Sequence, residues 1–428
     1  MKKIDNARYL ILKGITFHLR GNSLKKINSF YDLSYKKLCI SEQDISFVNY
    51  FTLAIIRNRG VIEIILAKYI KKKLPKNVLE IKAGLMLGIA QIFFSKIPTY
   101  ALVNSTVNLF EGKLKKWRGL ANAVLRKVDR ESNKLKKIVE SQYLNVPDWL
   151  YIDWKKQFGE TKTHKFLENF QLEPDLDLRV KNKVDYWVKE LKGKKLGINT
   201  VRVKGKGKIT NIKGYEEGLW WVQDIAAQLP VIIMGDIKNK KVLDLCAAPG
   251  GKTAQMLSEG AFVEAIDSSK SRVNKLVNNI NRLKLAKKLK VNIIDIENYS
   301  AKEKFDIVLL DAPCSSTGTF RKNPDVLWIK NKNDVKRNSN LQKKLIIKSL
   351  GFVKKGGVLI YSNCSMQFEE GETLIEELVK KKLIQVDKIS KKEVTDYPEE
   401  IINKGLIRTL PYMYNGGNDG FFIARIKK

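Results

Sequence analysis

The chain has 428 residues, 44% of them hydrophobic, which makes it too long for one ordinary core and too apolar for wholesale disorder. At roughly 150 residues per domain, two or three domains are expected. Lys and Arg number 80 against 45 Asp and Glu, a formal charge of +35 that repels itself unless a polyanion shares the surface, so nucleic acid is the first partner to consider and a lysine-biased proteome the plainer alternative.

The opening Met1-Lys2-Lys3-Ile4-Asp5 lacks the apolar core of an export signal, so a protein that stays in the cytoplasm is expected. From about Asn6 to Val128 apolar residues recur at three and four positions, as in Phe47, Phe51, Ala54 and Ile55, and then Leu85, Leu87, Ile89, Ile92 and Phe93. That is the period of packed amphipathic helices, divided by the breakers Lys73-Leu74-Pro75, Ile97-Pro98-Thr99 and Gly112. The strongest apolar run, Ala83 to Phe94, is interrupted by Gln91 and is too short to span a bilayer, so no membrane association is expected. From Pro147 to Gly235 the signals mix: Asp148-Trp149-Leu150 opens a helix, Leu176 to Val180 alternates like a strand, and the Lys- and Gly-rich Gly193 to Lys208 reads as a turn-rich connection. From Lys241 onward, apolar runs at Val242–Leu245, Phe262–Ile266, Val291–Ile294, Phe305–Leu310 and Val358–Tyr361 alternate with helical patterns, which predicts parallel strands joined by right-handed crossovers. Leu410 to Ile426, with Asn415-Gly416-Gly417 as turn material, predicts a terminal antiparallel hairpin. The expected organisation is a helical domain over 1–135, a small α+β module over 136–235 and an α/β domain over 236–428.

In an open α/β sheet a ligand sits outside the carboxyl ends of the strands. The first strand of the α/β domain ends at Leu245, so the turn Cys246-Ala247-Ala248-Pro249-Gly250-Gly251-Lys252 falls where a cofactor belongs. Adjacent glycines let backbone approach a ligand, and a helix N-terminus offers free N–H groups to a carboxylate such as that of S-adenosylmethionine. A tight strand-to-helix turn without a ligand is the plainer alternative. Asp267 ends the second strand at a spacing suited to ribose hydroxyls, and Asp295 follows the third, where it would face adenine or simply cap a helix.

Two of the four cysteines, Cys314 in Asp311-Ala312-Pro313-Cys314 and Cys364 in Ser362-Asn363-Cys364-Ser365, fall at predicted strand ends on this same side. No CxxC pair is present, and the only histidines, His18 and His164, lie in other segments, so neither a disulfide framework nor a zinc site is expected. Buried structural thiols are the bland reading. The chemical one is methyl transfer to cytosine, whose C5 becomes nucleophilic only after a thiolate has added at C6. Such a thiol needs positive charge or a base nearby, which Lys252 is placed to supply, while Asp311 is placed to bond the N3 and amino edge of the ring. A second thiol would assist removal of the C5 proton and release of the base; order along the chain does not say which thiol attacks.

At these residues the chain resembles the RNA cytosine-5 methyltransferases of the Fmu/Sun/NOL group, the RsmB/NOP family. The resemblance rests on VLDLCAAPGGKT (242–253), Asp267, DAPCSSTGTFRKNPDVLW (311–328), YSNCS (361–365) and DGFFIARI (419–426). It implies that the last domain is a Rossmann-like S-adenosylmethionine-dependent methyltransferase, with Cys364 as attacking thiol, Cys314 assisting release, and Asp311 and Lys252 completing the catalytic set. It likewise implies cofactor contacts from Cys246 through Lys252 and from Asp267, Asp295 and Asp311, with no metal. Residues 1–128 resemble the NusB-type RNA-binding helical domain at IPTYALVN (97–104) and GLANAVLR (119–126). VPDWL (146–150), LRVKN (178–182) and VQDIAAQ (222–228) resemble the segment that joins it to the catalytic part.

This three-part arrangement is typical of family members that methylate one cytosine of 16S ribosomal RNA, so that RNA is the implied partner of an expected monomer. A tRNA or broader-range cytosine methyltransferase, and a non-catalytic RNA-binding or antitermination-like factor, are the alternatives. Arg179, Arg321 and Lys322 are candidate RNA contacts. Asn363 stands where the family usually has Thr, and Gly371 interrupts its Glu-Glu-Asn-Glu run as Glu369-Glu370-Gly371-Glu372; activity is expected to survive both.

Overall fold

The structure, a computed structural model, describes residues 5–70, 75, 78–168, 170, 173–205 and 207–428. Met1 to Ile4, the breaker residues Lys73 and Leu74, and Lys206 of the predicted connection lie outside them. The chain packs as two units, Met1–Leu172 with Asn323–Asn331, and Glu173–Lys322 with Lys332–Lys428.

The first unit is helical. Its elements include Asn6–Leu19, Leu24–Leu38, Glu42–Arg57, Arg59–Tyr69, Leu79–Phe94, Thr99–Asn108, Arg118–Arg130, Ser132–Val139, Asp148–Phe158 and Glu160–Leu167. Caps mark several starts: Asp5 accepts from Arg8 N at 3.0 Å and Ser41 from Asp44 N at 3.1 Å, each meeting an N–H that the helix itself cannot. The apolar run that is too short for a bilayer forms the central helix, Leu79–Phe94, buried on every side from Ala83 to Gln91. Gly84 and Gly88, one turn apart, admit its neighbours: a Cβ at either would lie 2.4 Å from the Phe110 ring or 2.6 Å from Leu125. The buried Gln91 is satisfied by Arg8 Nε at 2.8 Å and Thr106 Oγ1 at 3.1 Å. Segment 323–331 belongs here too, through Leu24 N donating to Asp325 at 2.9 Å and the Arg59 guanidinium lying over the Trp328 ring.

The second unit holds two sheets. The smaller consists of β1 (Leu176–Val180), β2 (Lys194–Leu196), β3 (Thr200–Val203) and β4 (Trp220–Val222), antiparallel in the order β2-β3-β1-β4. It covers a small core of Leu178, Val180, Trp187, Val201, Val203 and Trp220. The Lys- and Gly-rich stretch predicted as turns thus contains β2 and β3. Thr200-Val201-Arg202-Val203, with three β-branched residues, is buried throughout, and the surrounding lysines mask its pattern in the sequence. The middle module expected over 136–235 is divided as well: 136–172 packs with the helical unit, and 173–235 with the α/β part.

The larger sheet is built from β5 (Lys241–Leu245), β6 (Phe262–Asp267), β7 (Leu289–Ile293), β8 (Phe305–Asp311), β9 (Val353–Asn363), β10 (Gln385–Val386), β11 (Ile402–Asn403), β12 (Leu406–Thr409) and β13 (Phe421–Lys427). Its order is β11-β12-β13-β9-β8-β5-β6-β7, with β10 beside β13. Strands β5 to β9 pair in parallel, as the sequence predicts, and β13 joins β9 and β12 antiparallel; the first strand of the predicted hairpin lies at Leu406–Thr409, ahead of the expected Leu410 to Ile426. Alternate residues face opposite layers: Val242, Ile307, Leu309 and Ile360 point to one core, Leu243, Val308, Leu310 and Leu359 to the other. From β5 the chain runs outward through β6 and β7, then returns to the other side of β5 for β8 and β9. That places a topological switch point between β5 and β8, where the carboxyl ends open a crevice.

Candidate active site

Register brings the chemistry together. In the parallel β8–β9 pair, Leu310 lies opposite Tyr361 and Asp311 opposite Ser362, so the segments that leave the two strands start side by side. Ala312 N reaches Ser362 O at 2.8 Å, and Cys314 Sγ and Cys364 Sγ end 3.5 Å apart. Contact with Cys364, added to burial, raises the Cys314 thiol well above its ordinary range, because a second negative sulfur there would be repelled and poorly solvated.

Helix Gly251–Ser258, which follows β5, carries Lys252 back to the end of β8. Its ammonium sits 2.7 Å from Asp311 Oδ2 and over the Phe421 ring, while Asp311 Oδ1 accepts from Ser362 Oγ at 2.9 Å. The contact that Lys252 makes is thus with the carboxylate that would hold the base, and its charge orients Asp311.

The glycine-rich turn is closed by Ala247 N to Ile266 O at 3.0 Å and Gly250 N to Ala247 O at 2.9 Å. Gly250 precedes the helix at φ +99°, a conformation that side-chain-bearing residues resist. A Cβ on Gly251 would find its nearest neighbour, Gln223 Cγ, only at 4.0 Å, so the turn is open on that side. Asp267, buried at the end of β6, accepts from Ala248 N at 3.3 Å and Ser269 N at 3.0 Å and pairs with Arg272 at 3.1 Å. A carboxylate has about four lone-pair sites, so capacity for a ribose hydroxyl is left. Helix N–H groups beside an open glycine turn and an acid at the next strand end are a donor and acceptor set that fits S-adenosylmethionine. Cys246 lies under the turn at φ +61°, and burial together with Asp311 and Asp267 pushes its thiol up to about 12, which leaves it inert. Asp295 is exposed and caps the short turn after β7 by accepting from Glu297 N at 2.9 Å.

The candidate RNA contacts need correction. Arg179 is buried on β1, bonded to Gln228 and to Glu259 at 2.8 Å; Arg321 is buried and donates to Gly416 O; the Lys322 ammonium is held between Asp224 and Asp419. Buried charges need partners, and Arg179 and Arg321 are directed into the protein, while the half-buried Lys322 is held by its two carboxylates. Sequence reasoning had no way to tell them from surface cations.

Several residues that shape the site were passed over. The buried Glu370 carboxylate accepts from Ser315 N at 2.9 Å, from the Ser315 and Ser365 hydroxyls and from Gln342 at 3.1 Å, which fastens the segments bearing Cys314 and Cys364 to each other. Asn363 donates to Tyr361 Oη at 3.0 Å and Glu370 O at 2.7 Å and accepts from Ser365 N at 2.9 Å, fixing the chain on both sides of Cys364. Asp244, beneath the cofactor turn, accepts from Thr253 Oγ1 at 2.6 Å, and burial raises its carboxyl to about 7. Serines flanking both cysteines and the acidic run at 369–372 are the signals that would have found the fastening.

Comparison with known proteins agrees with this geometry. Residues 231–427 match the family model described as 16S rRNA methyltransferase RsmB/F, and residues 5–130 match the NusB family. The chain is 30% identical over 447 residues to ribosomal RNA small subunit methyltransferase B of Proteus mirabilis, covering 100% of each. It is 31% identical to the probable ribosomal RNA small subunit methyltransferase B of Coxiella burnetii, over 69% of this chain and 73% of that one. Among solved structures, PH0851 matches with a TM-score of 0.79 at 22% identity over 100% of both chains, a likeness of fold. The chain belongs to the RsmB/F family of 16S rRNA methyltransferases.

Proposed function

We propose that this protein is an S-adenosylmethionine-dependent methyltransferase that modifies C5 of one cytosine in small-subunit ribosomal RNA. The observation that carries the reading is the 3.5 Å approach of Cys314 and Cys364 beside the Lys252–Asp311 pair, at the switch point of a parallel sheet. Family membership supports the choice of RNA.

In this reading the Cys364 thiolate adds to C6 of an extruded cytosine while Asp311, oriented by Lys252 and Ser362 and entering as the acid, accepts from the amino group and gives its proton to N3, which neutralises the charge that the addition creates. Bound S-adenosylmethionine supplies the electrophilic methyl group. The turn from Cys246 to Lys252 receives the carboxylate end of the cofactor, Asp267 the ribose and Asp295 the adenine side. The Cys314 sulfur, acting as base directly or through a water, then takes the C5 proton, and the C6–sulfur bond breaks with Cys364 leaving as thiolate, which restores the aromatic ring.

The helical unit and the small sheet of 176–222 would hold structured RNA by phosphate contacts, which offset the few kcal/mol needed to extrude a base. Among the described residues no helix is long and apolar enough to cross a membrane. A cytoplasmic monomer fits the reading, since two such closely placed thiols work only when reduced.

The test is bisulfite sequencing of unmodified 16S rRNA and tRNA after incubation with the protein and S-adenosylmethionine. One newly protected cytosine in 16S rRNA is expected. Protection only in tRNA would keep the chemistry and overturn the substrate, and protection in neither would leave an RNA-binding factor.

A further inference from the structure

Two glycines from distant segments hold the backbone at Cys364. Gly318 N donates to Cys364 O at 2.8 Å, and Gly420 N donates to Gly318 O at 2.9 Å. The approach leaves no space for side chains: a Cβ on Gly318 would lie 2.1 Å from Gly420 O and 2.8 Å from Cys364 O, and one on Gly420 would lie 2.3 Å from the Met366 sulfur. The carbonyl of the attacking residue is therefore placed by Gly318, and Gly318 by Gly420.

Residues close to each glycine are clamped by one ammonium. Lys322, four residues beyond Gly318, pairs with Asp419, the neighbour of Gly420, at 3.0 Å and with Asp224. Asp224 also accepts from Asp419 N at 3.1 Å and caps helix Ile225–Ile232 through Ala226 N at 2.9 Å. Beside it Asp177 accepts from Ile225 N at 3.0 Å and from Arg202 at 2.6 Å. Asp177, Asp224, Arg202 and Asp419 are all buried. Replacing such an ion cluster by apolar packing commonly stabilises a protein, so stability alone does not account for it. What the cluster supplies is a directional grip on both segments that meet at Cys364.

We propose that Lys322 and Asp419 are positioning residues that set the location of Cys364 through the Gly420–Gly318 backbone contacts. The proposal rests on the reading of Cys364 as the attacking thiol.

Unmodified 16S rRNA transcripts carrying 5-fluorocytidine test both levels, because fluorine at C5 blocks the final elimination and the covalent adduct accumulates. The rate of adduct formation, its site by peptide mass mapping, and kcat and KM on ordinary 16S rRNA would be measured for wild type, Asp419→Asn, Lys322→Arg and Lys322→Ala. Asp419→Asn keeps the side-chain shape and carries the test should Lys322→Ala fail to fold. A misplacement of the order of 1 Å at a reacting group costs about a hundredfold. Adduct formation and kcat in Asp419→Asn are therefore expected to fall by about ten- to a hundredfold with KM for RNA nearly constant, and Lys322→Arg to recover most of the rate. Adduct formation at the wild-type rate in Asp419→Asn, or a change confined to KM, would overturn the proposal while leaving Cys364 as nucleophile. A wild-type adduct on Cys314 would overturn the underlying reading and the proposal with it.

Discussion

Cys314 and Cys364 meet through their sulfur atoms at 3.5 Å, although 50 residues separate them in the chain. The proposed reading assigns attack to Cys364 and release to Cys314, and the two roles separate in single variants. Replacing Cys364 by Ser should abolish both turnover and covalent capture of RNA. Replacing Cys314 by Ser should leave a protein–RNA species that survives a denaturing gel, because addition proceeds and release does not. The reverse pattern would exchange the two roles.

The Lys252–Asp311 contact, 2.7 Å long, predicts that either partner is needed for the other's work. Asp311→Asn and Lys252→Ala should each lower kcat by about 10²–10⁴-fold, the usual range for a positioned acid or base, and the double variant should be little worse than the worse single one. Ser362→Ala, which removes a neutral bond to the far oxygen of Asp311, should cost less than about tenfold. Additive losses in the double variant, measured by single-turnover methylation, would show that the two act independently.

Asp244 should make stability depend on pH. Burial raises its carboxyl from 3.8 to about 7 in the folded protein, so the folded state binds the proton more tightly than the unfolded chain. Stability from this group is complete below the ordinary carboxyl range and is lost as the pH rises toward 7, by up to about 4 kcal/mol at 1.36 kcal/mol per unit. Asp244→Asn, which still accepts from Thr253, should remove that decline. Denaturant unfolding of both proteins between pH 4 and 8 is the check, and parallel curves would refute the assignment.

The departures at 363 and 371 are built into local packing. Asn363→Ala would strand Ser365 N beside Cys364, at about 1–3 kcal/mol, while Glu370 O keeps its bond from Tyr361 Oη; Asn363→Thr keeps an acceptor for Ser365 N and should hold activity within a few-fold. A Cβ at Gly371 would lie 2.6 Å from the Arg408 guanidinium and 2.8 Å from the Phe422 ring. Gly371→Asn, although it recreates the usual run, should therefore destabilise by about 1–3 kcal/mol. A rise in melting temperature would contradict this.

The sequence by itself determined the helical front, the parallel strands and the cofactor turn. Each is written in short-range signals: a 3.6-residue period around Leu85 to Phe93, apolar runs at Val242 and Phe305, and glycines where backbone must turn sharply. It also marked Cys314 and Cys364 as strand-end thiols, since strand ends are local features. Tertiary structure alone decided the pairings. The β8–β9 register set Ser362 beside Asp311, and with it the approach of the two thiols. Packing turned apparent surface cations into internal partners: Arg179 of Glu259, the half-buried Lys322 of Asp224 and Asp419, and the buried Arg321 of the Gly416 carbonyl. The sheet strands within Gly193 to Lys208 likewise became visible only in three dimensions, where β1 supplies a partner for Thr200 to Val203. The physical reason is common to all of these: desolvation and pairing depend on residues that are distant in the chain, and a local pattern carries no information about which of them will be near.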